Sequence, residues 1–268
     1  MGLAFGDSFT DNGGGAWVIS NHTWPAHPGY DQGRFSNGPV WVEYVAGNLS
    51  VPLYDYAVGG ATTSAEVVQG FTGPDSSIPV PSIDEQVAQF LSAPPPALPS
   101  NSSNSSTTPS RPLFFLLGGV NDLLFNPNST ASRSVQELLR SKDQLQAAYP
   151  EGEFVLMDYP NLARIPYSFY LTGASASMSK RDLATFSREL KGSYEDLMLD
   201  GIRGSGKNVR FVDLIPLFED FDYYGEPKQY GIDPLGAYSS CLVGVYQETN
   251  NITVCENANG MVFWDEYQ

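Results

Sequence analysis

Five short apolar runs, Leu3–Phe5, Leu53–Val58, Leu113–Leu117, Phe154–Tyr159 and Val209–Leu214, recur along the chain with helix-length stretches between them. Runs that are apolar at successive positions suit strands covered on both faces, and strands alternating with helices build a parallel sheet. Ile83–Leu91, Ser134–Ala148 and Lys180–Arg203 carry the helical patterns that supply the crossovers, which are right-handed in nearly all such units. The expectation is an α/β fold: a three-layer αβα sandwich around a five-stranded parallel sheet, flavodoxin-like in plan. At 268 residues the chain suffices for one such domain, so residues 1–268 are read as a single unit. The stretch Ala93–Arg111, dominated by Pro and Ser, holds little that packs into a core. It reads as a solvated loop and not a linker, because the strands on either side of it belong to one sheet.

Charge narrows the partners. Lys and Arg number 14 against 30 Asp and Glu, a formal charge of −16, and no basic cluster offers a footprint for a phosphate backbone. Nucleic acid is therefore excluded as an expected partner. No apolar run approaches the roughly 20 residues that span a bilayer, and the sign of the charge disfavours anionic membrane surfaces; a monomer is expected. N-x-S/T sequons at Asn21, Asn48, Asn101, Asn104, Asn128 and Asn251 point to glycosylation in an extracellular, secreted protein, with 93–111 as a glycosylated loop. The only cysteines, Cys241 and Cys255, enclose a short polar segment, which suits a local disulfide; a buried reduced pair is the alternative. The chain enters its first strand at once, with no signal segment before it, so its amino end is expected to be processed or missing.

The segment Phe5-Gly6-Asp7-Ser8-Phe9-Thr10-Asp11-Asn12-Gly13 closes the first strand on a glycine turn and puts a serine where a helix is expected to begin. That geometry exposes the hydroxyl and leaves N–H groups unpaired near whatever the hydroxyl attacks. Ser8 as a plain helix cap is the bland alternative. Tyr56-Ala57-Val58-Gly59-Gly60-Ala61 follows the second strand and Gly119-Val120-Asn121-Asp122 the third, both at carboxyl ends, where open parallel sheets bind ligands. The Gly60 N–H and the Asn121 amide are donors of the type an oxyanion hole requires, while close-packing glycines and a capping asparagine explain the same residues without chemistry.

Taken in order, these blocks resemble the SGNH, or GDSL, hydrolase superfamily: Gly6-Asp7-Ser8, then Gly60, then Gly119–Asp122, then Phe263-Trp264-Asp265, over nearly the whole chain. Gly33–Trp41 is similar to the segment that follows the first block in larger members. The resemblance implies Ser8 as nucleophile, the Ser8 and Gly60 amides with Asn121 as the oxyanion hole, and Asp265 as the group that orients a catalytic histidine. The chain most looks like the fungal acetylesterases of carbohydrate esterase family 16, which implies acetyl esters of plant cell-wall carbohydrates as substrates, with no cofactor.

At the last block the match breaks. The family reads Asp-x-x-His, and here Asp265-Glu266-Tyr267 is followed by Gln268. A glutamine amide takes no proton near neutral pH, so it serves neither as base for Ser8 nor as acid for the leaving group. His22 and His27 follow the first block and not the last, and are read as loop residues. Two accounts of the missing base compete: a chain clipped at its carboxyl end, the favoured one, and a catalytically impaired pseudoenzyme or glycan-binding protein. The first leaves apolar surface near the first strand uncovered for want of a final helix. A lipase or phospholipase of the same superfamily is the rival enzymatic reading. The acidic run Phe218–Tyr224 lacks the glycine and ligand positions of a calcium loop, and no zinc, P-loop or dinucleotide pattern occurs, so no metal is expected.

Overall fold

The computed structural model of the protein describes residues 1–96, 111–169, 171, 178–203, 208–246 and 251–268. Strand β1 (Gly2–Phe5) is buried at every position, as a strand covered on both faces must be. It pairs in parallel with β2 (Leu53–Asp55) on one side and, past the antiparallel hairpin β3 (Gly70–Thr72) and β4 (Ile78–Val80), with β5 (Leu113–Leu116) on the other. Strands β6 (Glu153–Met157) and β7 (Val209–Val212) complete the sheet in the order β2-β1-β5-β6-β7. A small ladder of β8 (Leu242–Val243) and β9 (Thr253–Val254) lies apart from it, beside the Cys241–Cys255 disulfide. The α/β fold and its five-stranded parallel sheet thus match expectation, with the doubly wound order whose switch point falls beside the first strand.

The helices are α1 (Ala16–Ile19), α2 (Trp41–Leu49), α3 (Ile83–Ser92), α4 (Val120–Phe125), α5 (Ala131–Ala148), α6 (Lys180–Arg203) and α7 (Ile215–Asp220). On one face of the sheet Leu3, Phe5, Phe114, Leu116, Phe154 and Leu156 meet Val87 and Phe90 of α3, Leu138 and Leu145 of α5, and Leu190 of α6. On the other, Ala4 and Phe115 meet Trp41 and Val42 of α2. The expected bare surface near the first strand is absent: Leu3, Ala4 and Phe5 are fully buried, because α2 covers the face opposite α3. Arg34 fixes α2 to the preceding loop through a two-pronged bond to Glu43, Nε to Oε2 at 2.8 Å and Nη2 to Oε1 at 2.7 Å.

Four of the five strands end earlier than the apolar runs suggest. Acidic side chains take over from the ladder there: Asp55 Oδ1 accepts the Ala57 N–H at 3.0 Å, and Asp158 Oδ1 accepts the Leu214 N–H at 2.6 Å. Beyond β2 the chain still runs beside β1, with Tyr56 N–H on the Ala4 carbonyl and Val58 N–H on the Gly6 carbonyl, which carries Gly59 and Gly60 towards Ser8. The sequons at Asn101 and Asn104, with most of the 93–111 loop, lie outside the described residues; Asn21, Asn48, Asn128 and Asn251 are all exposed.

Candidate active site

The turn that carries Ser8 differs from the expected helix start. Asp7 to Thr10 form a single turn, closed by the N–H groups of Thr10 and Asp11 on the Asp7 carbonyl, and the next helix begins only at Ala16. The Gly13-Gly14-Gly15 run and the Asp11 side chain break it. Asp11 accepts N–H bonds from Gly13 (2.9 Å), Gly15 (3.0 Å), Ala16 (2.8 Å) and Gly59 (2.8 Å), tying the loop after β1 to the glycine turn after β2. Gln86 of α3 clamps the peptide at Gly6 from below, accepting its N–H at 3.0 Å and donating to its carbonyl at 2.9 Å. A side chain at Gly6 would meet the Leu117 carbonyl at 2.8 Å, so the turn lies tight against the end of β5.

Ser8, Gly60, Asn121 and Gln268, far apart in sequence, line one cleft of about 310 Å³ at the carboxyl end of the sheet. No acceptor among the described residues takes the Ser8 or Gly60 N–H, and the Asn121 amide, buried, spends one N–H on the Ala61 carbonyl at 2.9 Å. Asp122 holds this loop to the glycine turn by accepting the Thr63 N–H at 3.0 Å and the Thr63 hydroxyl. Gly60 has φ +90°, and a Cβ there would stand 1.9 Å from the Phe71 carbonyl oxygen of β3. The backbone conformation alone costs a residue with a side chain about 1–2 kcal/mol, and the clash adds to it. Gly60→Ala is expected to lower the urea midpoint markedly while Gly47→Ala, in open space on α2, leaves it close to that of the parent.

Gln268 stands between Ser8 and Asp265. Its amide nitrogen or oxygen lies 2.9 Å from Ser8 Oγ according to how the amide is turned. One orientation satisfies both ends: Oε1 accepts from the Ser8 hydroxyl at 2.9 Å, and Nε2 donates to Asp265 Oδ1 and Oδ2 at 3.1 and 3.2 Å. The amide so turned bridges the serine hydroxyl and the carboxylate, and it neither gains nor loses a proton near neutral pH. Asp265 is 1% exposed and accepts from the Tyr30 hydroxyl (2.8 Å), the Tyr246 hydroxyl (3.2 Å) and the N–H groups of Tyr267 and Gln268 (2.8 Å each). Burial raises its pKa to about 6 against the pull of those donors. Burial likewise raises the phenols of Tyr30 and Tyr246, which stay protonated as donors.

The two histidines take no part in this arrangement. His22 packs against Trp17, and His27 Nδ1 accepts the Gly29 N–H at 2.9 Å. Sequence reading gave no role to Asp11, Gln86, Asp122, Tyr30 or Tyr246, which hold the turns in place. Asp11 and Asp122 lie inside the quoted blocks, whereas Gln86 lies in a stretch whose helical pattern marks no special role for it and the two tyrosines sit outside the blocks. Among the described residues no cluster of His, Cys, Asp and Glu has the arrangement of a metal site, and no helix is long and apolar enough to cross a membrane.

Asp7, beside Ser8, is 1% exposed, accepts from the Tyr159 hydroxyl, and is pushed by burial to about 7. Both Asp7 and Asp265 therefore bind a proton more tightly folded than unfolded. Their favourable contribution is complete below pH 4 and is lost as pH rises through 6 and 7, by a few kcal/mol per group at most. Scanning calorimetry from pH 4 to 8 is expected to show a falling unfolding temperature, and Asp7→Asn a shallower fall.

The sheet order and the sequence blocks that meet at its carboxyl end are those of a GDSL-type hydrolase. The chain belongs to the GDSL-like lipase/acylhydrolase family, whose model matches residues 3–267, and is by family an ester hydrolase. It is 28% identical over 256 residues to an acetylesterase of Thermothelomyces thermophilus, covering 89% of this chain and 78% of that protein. It is 26% identical over 270 residues to the thermolabile hemolysin of Vibrio parahaemolyticus, covering 98% of this chain, and 28% identical over 252 residues to the phosphatidylcholine-sterol acyltransferase of Aeromonas hydrophila, covering 91%. The chain spans 58% and 66% of those two proteins.

Proposed function

We propose that the site is built for hydrolysis of a carboxylic ester by acyl transfer through Ser8, with Gly60, Asn121 and the Ser8 amide receiving the oxyanion, and that Gln268 fills the place of the base. The observation that carries this reading is the Gln268 amide spanning Ser8 Oγ and Asp265. With no group to take the Ser8 proton, the chain carrying Gln268 keeps only the acceleration that binding and the oxyanion hole provide, about 10³- to 10⁴-fold over water in serine hydrolases stripped of a triad member. The substrate proposed is an acetyl ester of plant cell-wall carbohydrate, met outside the cell by a monomer; the acetylesterase relative and the exposed sequons support this.

A second reading, ester cleavage on lipid, draws support from the walls of the cleft. Phe71, Leu124, Phe125, Leu162 and Ile165 offer more apolar surface than an acetyl group uses, and one relative is named as a phosphatidylcholine-sterol acyltransferase. Comparison of 4-nitrophenyl acetate with the octanoate ester, using the Gln268→His variant, separates the two. Faster turnover of acetate is expected; equal or faster turnover of octanoate replaces the acetylesterase reading with the lipid one. A folded His variant inert on both esters would leave the framework to a glycan-binding role.

A further inference from the structure

A second cavity, of about 360 Å³, shares a wall with the Ser8 cleft. In the segment 160–165, Leu162 and Ile165 face the cleft, while Asn161, Ala163 and Arg164 face the second cavity. Its lining is mostly apolar, with Phe169, Phe218, Phe263 and Ile215 among the residues that supply it. Its polar groups are the donors Asn161, Arg164 and Lys180, the acceptors Glu219 and Asp222, and the Tyr238 hydroxyl. No residue of the Ser8 site belongs to it.

We propose that this cavity binds a neutral pyranose unit of a polysaccharide, as a sugar site separate from the ester-cleaving one. The polar wall is set in advance. Asp222, 7% exposed, pairs with Arg164, accepts the Tyr238 hydroxyl and takes the Tyr223 N–H at 2.8 Å. The Lys180 ammonium lies 4.2 Å from the centre of the Phe169 ring. Phe218 is braced against Phe263 and Phe221 at 6.0 and 5.3 Å between centroids.

A few donors and acceptors beside apolar side chains in one cavity match a sugar, whose hydroxyls both give and take hydrogen bonds and whose C–H faces pack on apolar surface. The volume lies in the range of small-molecule sites, about 300–1,000 Å³. An acyl chain would strip water from Asn161, Lys180 and Glu219 and return no hydrogen bonds, at a cost for each. A carboxylate or phosphate would find Arg164 already paired with Asp222 and Lys180 held over the Phe169 ring, beside the Glu219 carboxylate and in the field of a chain with formal charge −16. The same segment goes on to present Tyr223, Tyr224 and Tyr230, exposed to 53%, 92% and 47%, as ring faces for further units of a chain.

The proposal does not depend on Ser8 chemistry, and its test involves none. Calorimetric titration of the whole chain with xylohexaose and cellohexaose is expected to show millimolar or tighter binding of at least one. Tyr238→Ala and Glu219→Gln, both at exposed positions, are expected to weaken it about tenfold, the effect of losing one well-made polar or stacking contact. Phe71→Ala, in the Ser8 cleft, is expected to leave it unchanged. Absence of binding of either hexaose at millimolar concentration overturns the proposal. So does binding that survives both cavity variants, or that is lost in Phe71→Ala instead, or displacement of the sugar by decanoate.

Discussion

Replacing Gln268 by histidine is expected to raise turnover of 4-nitrophenyl acetate by about 10²- to 10⁴-fold, the range that a positioned acid–base group supplies. Ser8 Oγ already lies 2.9 Å from the Gln268 amide, and that amide reaches Asp265 at 3.1 and 3.2 Å, so an imidazole placed there finds both partners in position. Tyr30 and Tyr246 hold the carboxylate from behind and do not occupy the place of the residue 268 side chain. The gained activity should rise with pH through the titration of an imidazole, ordinarily near 6.5, because only the neutral ring accepts the Ser8 proton. Adding Ser8→Ala to the same variant should return the rate to that of the Gln268 chain.

Asp11→Ala is expected to produce the largest loss of stability of any single polar substitution near the site. Four backbone N–H groups converge on this carboxylate, from Gly13, Gly15, Ala16 and Gly59, and all are left without it. An orphaned buried donor costs about 1–3 kcal/mol, so even partial rescue by entering water leaves a loss comparable with the 5–15 kcal/mol by which domains are stable. Urea unfolding should show a strongly reduced midpoint or no cooperative transition. Asp11→Asn, which keeps one acceptor, should fall between this and the parent.

The layout of the sheet was legible because β1, β5 and β6 are apolar at consecutive positions, a pattern that burial on both faces imposes. The same pattern overran the strand ends, since Val58 and Leu117 continue to pair beside β1 after the regular ladder has stopped. Helix α2 is not among the expected helices, although Trp41, Val42, Val45 and Ala46 repeat with a helical period, because its nine residues give that period barely more than two turns to show. The converging blocks around Ser8, Gly60 and Asn121 were visible as a set. Their supports were not, since Gln86, Tyr30 and Tyr246 act through contacts spanning 80, 235 and 19 residues that no local pattern records.

The central claim, that Gln268 occupies the place of the base between Ser8 and Asp265, is tested most directly by labelling with a fluorophosphonate, which reacts with a serine only when its hydroxyl is activated. The account predicts no appreciable labelling of the Gln268 chain, and one equivalent on Ser8, located by mass spectrometry, in the Gln268→His variant. Rapid labelling of Ser8 in the Gln268 chain, or a folded His variant that stays unlabelled, would contradict it.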